Sequence, residues 1–450
     1  MLLPDDQPKA DLHPDRLRAL AILLGLPVPT AVEHSAILVL GVSLGSNLLA
    51  LACEYPQARF TAVCLHQREL NHLQAACRHL GLHNIQLQLP HAKYVTVKHE
   101  TGFDYILCHG YYSYLQAIDK QALLHHIALN LNENGIAYLD YLIEPGWQTF
   151  STLQHLIANS SHFATQPSLE ELHKGIHLIH GQLPEHSPLK SSLEHTIPNL
   201  SLRSHPDLNG YWPLQPAFAD TTQHFFQCLH QETLGYVCDS DLSRYYFDLL
   251  SPTLLEWCGN DFHKKENLYD LLHHQASRAS LIVPIQQLIG FHLPKHALIC
   301  ERMLGLHITG RFELDSAQNA WHCVDAPELT VVASSFNNVL VTAINQAHDA
   351  DSTVSVSALL EALDHSFKQI PDIKHHATKL VADMVLSGMV HIRSQSQNGF
   401  AHRHQMLSLH HWRMQHSPYL TPANKWLQAW VEADLMALCE PSASKTASGS

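Results

Sequence analysis

Residues 36–70, AILVLGVSLGSNLLALACEYPQARFTAVCLHQREL, constrain this chain more than any other stretch. The run Ala36-Ile37-Leu38-Val39-Leu40 has the continuous apolar pattern of a strand buried on both faces. Gly41-Val42-Ser43-Leu44-Gly45 follows as a tight turn, and Ser46-Asn47 opens the helical pattern Leu48-Leu49-Ala50-Leu51-Ala52. A second strand over residues 59–65 comes after Tyr55-Pro56. Strand, glycine turn, helix, strand is the first crossover unit of a doubly wound sheet. At such a turn a ligand can approach the backbone, and the free N–H groups of the helix start face a carboxylate or phosphate.

Two positions depart from a strong dinucleotide-type fingerprint. Ser43 stands where a third glycine is expected, and Cys64, followed by Leu65 and His66, stands where an acidic side chain would accept hydrogen bonds from a ribose. From these residues alone, a working cofactor site and a nucleotide-type fold whose cofactor grip has decayed are both open.

The pattern continues down the chain. Residues 16–24 read as an amphipathic helix closed by Gly25 and Pro27, lying beside the first strand and covering the ligand mouth. Residues 67–80 read as a second crossover helix and 84–89 as a third strand. Phe103-Asp104-Tyr105-Ile106-Leu107-Cys108 is a fourth strand, running into His109-Gly110-Tyr111-Tyr112-Ser113-Tyr114 at the carboxyl edge, where open sheets bind ligands. A helix over 120–131 ends at Asn132-Glu133-Asn134-Gly135, and a fifth strand over 136–142 leads to Glu144-Pro145-Gly146-Trp147. Residues 31–150 should therefore form a mostly parallel sheet with helices on both faces. The break candidates are residues 183–213, rich in Pro, His and Ser, and the polar stretch 347–353; residues 441–450 read as a disordered tail.

Composition narrows the function classes. A net charge of −14 over 450 residues argues against a general nucleic-acid binder. Residues 365–415 are locally basic, with six Lys/Arg against two Asp, so a nucleic-acid contact there stays open as a minor reading. No apolar run reaches membrane-spanning length and the N-terminus lacks a signal-peptide core, which points to a cytoplasmic protein with no membrane contact. The ten cysteines form no C-x-x-C pair and read as buried, reduced thiols. The 38 histidines show no zinc-type spacing, so no metal site is expected.

The ordered words His13-Pro14-Asp15-Arg16-Leu17, Leu40-Gly41 through Asn47, Phe103-Asp104-Tyr105-Ile106, His109-Gly110-x-Tyr112-Ser113, Asn134-Gly135-x-Ala137-Tyr138 and Pro145-Gly146-Trp147 give a resemblance. The chain resembles bacterial class I S-adenosylmethionine-dependent methyltransferases that carry a methyltransferase regulatory domain, a family that includes protein-lysine methyltransferases. The likeness continues more weakly over residues 212–237, 285–300 and 380–393. It implies an α/β chain: a Rossmann-like methyltransferase domain over 1–165, a helical regulatory domain over 205–304, closed by a helix at 285–300, and a winged-helix domain over 305–415. It implies S-adenosylmethionine as cofactor, held by Gly41, Ser43, Gly45, Asn47, Cys64, Leu65, His109 and Gly110. His109 and Tyr112 would be the catalytic residues, the histidine able to accept a proton and the tyrosine able to face a methylammonium. Tyr111, Tyr112 and Tyr114 could equally be loop aromatics packed on the core. The substrate expected is a protein side chain of the lysine type, and a second copy of the chain is a further expected partner. The competing reading is a catalytically degenerate methyltransferase-fold protein kept as a binding or regulatory partner.

Overall fold

A computed structural model describes residues 9–42, 45–90, 102–148, 151–152, 177–187, 189–191, 193–194, 217–247, 250–350, 352–396, 408–409 and 412. Ser43, the sequence 195–213 of the first expected break, and the tail 441–450 lie outside them.

The apolar runs become strands where expected. β1 (Ala36–Leu40), β2 (Arg59–Val63), β3 (Ile85–Gln88), β4 (Phe103–Cys108) and β5 (Leu131–Leu142) form the parallel part of one sheet. Between them run α2 (Ser46–Glu54), α3 (Gln67–Leu80) and α4 (Ala117–Asn130), with α1 (Pro14–Leu24) ahead of them. Strand side chains alternate between two cores. Ile37, Val39, Tyr105, Leu107 and Tyr138 pack with α1, α2 and α3 on one face. Leu38, Leu40, Ile106, Cys108 and Leu139 pack on the other face with α4 and α5 (Thr222–Gln231). The fifth strand starts at Leu131 rather than after Gly135, with a register shift against β4 between Phe103 and Tyr105.

The stretch expected to be mainly helical contributes two more strands to the large sheet. β6 (Leu234–Asp239) and β7 (Ser277–Pro284) complete a seven-stranded sheet in the order β3-β2-β1-β4-β5-β7-β6. β7 runs antiparallel to both neighbours, β5 and β6. The closing helix expected over 285–300 is also replaced, by a short 3-10 turn (Ile285–Leu288) and a helix, α9 (His296–Arg302), that begins eleven residues later than expected. The physical reason is the run Ser280-Leu281-Ile282-Val283, fully buried one strand in from the edge of the sheet. Four buried residues are too few to separate strand from helix by periodicity, and pairing with the open edge of β5 decides the matter. Between β6 and β7 lie α6 (Ser243–Tyr246), α7 (Pro252–Cys258) and α8 (Phe262–Leu272).

Past α9 come β8 (His307–Thr309), a three-stranded meander of β9 (Phe312–Asp315), β10 (Ala320–Cys323) and β11 (Thr330–Val332), then α10 (Ser335–Asp349), β12 (Val354–Ser355), α11 (Val356–Ser366), α12 (Ile373–Leu386) and β13 (His391–Arg393). β8 pairs with both β12 and β13, giving a small antiparallel sheet against three helices. Its core, including Ile308, Leu340, Leu360, Val381 and Ile392, is continuous with the α1–α3 face of the large sheet.

Candidate functional site

In an open sheet the crevice lies outside the carboxyl ends of the strands, where the order reverses. Here β1 lies between β2 and β4, so crossovers leave it in opposite directions and the switch point is at the ends of β1 and β4. The glycine turn sits there. Gly41 has φ +79°, and a Cβ on it would run into the carbonyl oxygen of His109. The His109 N–H donates to the Leu40 carbonyl at 3.2 Å, which fastens the two strand ends together. Gly45, at φ +87°, caps α2, and a Cβ there would strike Leu73 of α3. Both glycines are thus demanded by backbone sign and by close packing.

His109 and Gly110 stand where the sequence placed them, and the structure adds a partner. Cys108 of β4 lies opposite Leu139 of β5, so the next residues along, His109 and Asp140, are neighbours. His109 Nδ1 makes a short contact with Asp140 Oδ2, and Asp140 Oδ1 accepts the Gly110 N–H at 2.6 Å. Burial works against ionisation of Asp140, but the His109 imidazole, Lys9 and the Gly110 N–H hold its carboxyl below the usual carboxylate range. The sequence signal was available: Asp140 is the lone carboxylate in the apolar run Ile136-Ala137-Tyr138-Leu139-Asp140-Tyr141-Leu142-Ile143.

At the end of β2 no carboxylate stands at position 64, and one from α3 lies close by. Cys64 is fully buried in the core beneath α3, where burial, with Glu69 and Cys77 adding, pushes its thiol up to about 12. A neutral, enclosed thiol cannot serve the ribose as expected. Glu69, in the first turn of α3, reaches back instead: its Oε2 accepts the Leu65 N–H at 2.8 Å. Its Oε1 is buried with no hydrogen-bond partner among the described residues. Burial raises its carboxyl, against the Leu65 N–H and His66.

Two other expected residues do different work. Asn47 Oδ1 accepts the backbone N–H of Lys9 at 2.8 Å, tying the segment ahead of α1 across the start of α2. This contact occupies the side-chain oxygen of Asn47. Tyr112 is fully buried, edge-on to Tyr141 and Phe225, with the Lys120 ammonium 4.8 Å from its ring centre. Burial holds its hydroxyl far from ionisation. In this conformation it is a packing residue and cannot touch a substrate. Trp147 is likewise buried, in a small cluster with Leu193 and Ala217.

The described cavity of about 840 Å3 is not at this crevice. It lies by β6 at the far edge of the sheet, bordered by Phe226, Tyr236, Phe262 and Phe291. The crevice, not that cavity, carries the glycines and the paired ionisable groups. Among the described residues no three His, Cys, Asp or Glu side chains come together to hold a metal, and no helix is long and apolar enough to cross a membrane.

The strand order with a single reversed strand, and the glycine turn at its switch point, make this a class I methyltransferase fold. The solved structure of PKMT2 from Rickettsia typhi superposes at a TM-score of 0.72 with 17% identity, covering 87% of this chain and 78% of that one. The same protein in complex with AdoHcy superposes at 0.71, again with 17% identity, over 87% and 77%. At that identity the likeness is one of fold. Among curated sequences the chain is 30% identical over 290 residues to the uncharacterized protein RP789 of Rickettsia prowazekii (strain Madrid E), spanning 62% of this chain and 51% of the relative. It is 30% identical over 163 residues to the uncharacterized protein RP028 of the same organism, spanning 35% and 64%. The chain thus spans about half the length of RP789 and under two thirds of RP028. No family model matches it.

Proposed function

We propose that this chain is an S-adenosylmethionine-dependent methyltransferase acting on a protein side chain, with lysine the expected acceptor. The observation that carries the reading is the glycine turn at the switch point, closed against His109 so tightly that no side chain fits at Gly41. In the neighbouring fold, PKMT2 of Rickettsia typhi has been solved with AdoHcy, which supports the same occupant here.

The residues present fit such a cofactor. The backbone of Gly41 and Gly45 and the start of α2 receive the methionine end. Glu69, with its unpartnered buried oxygen beside Leu65, replaces the missing acid at position 64 for the ribose hydroxyls. Bound there, the cofactor supplies the methyl electrophile; the protein's part is to hold the acceptor aligned, dry and deprotonated. The division that follows is a sheet unit extending through β7, not ending at 165, and a winged-helix unit after it, with α11 and α12 as its helix pair and β13 as the wing strand. In this reading the winged helix is a protein-contact module.

Titration calorimetry with S-adenosylmethionine and S-adenosylhomocysteine tests the proposal. Saturable binding of both is expected, lost in Gly41→Ala. A wild-type protein that binds neither leaves the binding-partner alternative, which the enclosed, uncharged Cys64 favours, as the better account.

A further inference from the structure

β6 is the last strand of the seven-stranded sheet, and among the described residues no strand pairs with its outer side. A strand edge of this kind presents a row of backbone N–H and C=O groups with no ladder to enter. The cavity of about 840 Å3 lies along that edge. Four consecutive residues, Leu234, Gly235, Tyr236 and Val237, line it. Successive strand residues point to opposite faces of a sheet, so a cavity that touches all four wraps around the strand edge. Its walls come from both faces. On one stand Phe226, which shares a core with Leu234, and Phe262; their ring centres lie 4.4 Å and 6.0 Å from that of Tyr236. On the other stand Leu288 and Phe291, which share the opposite core with Val237. Leu288 lies so close over Gly235 that a Cβ there would strike its side chain.

The slot is built in advance. The Tyr236 hydroxyl donates to Glu266 at 2.7 Å and accepts from Arg278 at 2.9 Å, which holds its ring in the floor. The free charge at the rim is positive. Lys264 is exposed, and its ammonium has no hydrogen-bond or ion-pair partner among the described residues. Asp261, the acid among the lining residues, is engaged at the start of α8, where its Oδ1 accepts the Lys264 N–H at 3.1 Å.

We propose that this slot takes an extended segment of another polypeptide, added outside β6 as a further strand, with apolar side chains against the two walls and an acidic side chain at Lys264. Strand addition pairs the edge N–H and C=O groups, and side chains alternating between two faces reach both walls at once. A compact small molecule would cover one wall and leave the edge without a ladder. A second copy of this chain fits less well. Its own β6 edge stands between walls of the same kind, and the two sets of walls would meet before the backbones did. The register against β7 also shifts between Tyr236 and Cys238, which bends the edge and limits the added segment to a few residues. The inference does not depend on the methyl-transfer reading, because β5 and β7 separate the slot from the crevice at β4.

Calorimetry on the full chain tests this with two peptides, acetyl-Glu-Leu-Phe-Leu-Glu-amide and the same sequence with Lys at both ends. Two further forms of the acidic peptide carry backbone N-methyl groups, one at the second and fourth residues, the other at the third and fifth. In an added strand only alternate amides point to the edge. One methylated form should therefore lose about tenfold in affinity or more, and the other should stay within about threefold of the parent. Lys264→Glu should weaken the acidic peptide about fivefold and tighten the basic one about as much, the scale of an exposed charge pair. An acid in the first turn of α8 does not burden the fold, so this variant stays interpretable. Bound peptide should slow amide exchange in β6 and leave β1 and β4 unchanged. Equal affinity of the two methylated forms, or no binding of the acidic peptide by wild type, overturns strand addition. Unchanged affinities in Lys264→Glu overturn the placement of the acidic side chain. A dimer in sedimentation that protects the β6 amides without any peptide assigns the slot to a second copy and overturns the proposal.

Discussion

Gly41 holds its backbone at φ +79° with the His109 carbonyl against its α-carbon. An alanine there meets both a disfavoured backbone sign and a backbone clash that no side-chain rotation relieves. Gly41→Ala should lower stability by about 2–4 kcal/mol, by chemical denaturation, and abolish cofactor binding. Glu69 gives the opposite balance. Its carboxyl is raised by burial, so the folded protein binds that proton better than the unfolded chain does. Stability is therefore lost as pH rises from the ordinary carboxylate range through the raised value, and at neutral pH the cost of the buried charge is fully present. Glu69→Gln should raise the melting temperature at pH ~7, with the gain fading toward pH ~4. If Glu69 holds the ribose, the same change should weaken S-adenosylmethionine about tenfold, the worth of one charge-assisted hydrogen bond. A variant that is stabilised and binds unchanged would remove Glu69 from the site.

At the scale of elements, the segment between β6 and β7 is held by charge rather than by apolar packing alone. Arg244 of α6 and Arg278 of β7 lie buried among Asp239 of β6 and Glu266 and Asp270 of α8. Arg278 also donates to the Tyr236 hydroxyl at 2.9 Å, and Thr222 of α5 donates to Asp270 at 2.6 Å. Three carboxylates face two guanidiniums, and burial raises Asp239 to about 6 despite both arginines. Removing one cation leaves uncompensated buried anions, which is far worse than never having built the network. Arg278→Ala should cost about 3–5 kcal/mol in urea denaturation at pH ~7. The loss should shrink toward pH ~4, where the carboxylates left behind take up protons. A loss under about 1 kcal/mol would mean the strand pairing of β7 suffices without the network.

Across the whole molecule, the sequence word His13-Pro14-Asp15-Arg16 is a junction. His13 Nδ1 accepts the Asp15 N–H at the start of α1, and its Nε2 meets Glu54 of α2 at 3.1 Å. Asp15 accepts the backbone N–H of Ser394 at 2.9 Å and also the Ser394 hydroxyl. Arg18 donates to the same Ser394 at 2.9 Å, and Arg16 donates to the Ser240 carbonyl, also at 2.9 Å. One helix thus joins the end of β6, the helix that starts at the glycine turn, and the strand β13 of the C-terminal unit. Asp15→Ala should cost about 1.5–3 kcal/mol in contacts to a charged group. It should speed amide exchange in β13 and at the α1 start by more than in β1 or β4. Uniform exchange across the chain would show that the C-terminal unit does not depend on this junction.

The parts legible in the sequence were those set by local chemistry. Continuous apolar runs fixed β1, β2 and β4, the helical period fixed α3 over residues 67–80, and two glycines marked a turn that no other residue could make. His109 was legible because it follows a strand and precedes a glycine. The tertiary structure decided what depended on residues far apart. β7 became a strand because the edge of β5 was there to pair with it. Glu69 came to the end of β2 because the first turn of α3 folds back there, its carboxylate accepting the Leu65 N–H. Tyr112 went from the site into the core because Tyr141, Phe225 and Lys120 close around it. Asp140 met His109 because register places the residue after Leu139 beside the residue after Cys108. Sequence determines what a residue can do, through its chemistry and its local backbone; only the pairing of distant strands decides which residues share a crevice and so can act together.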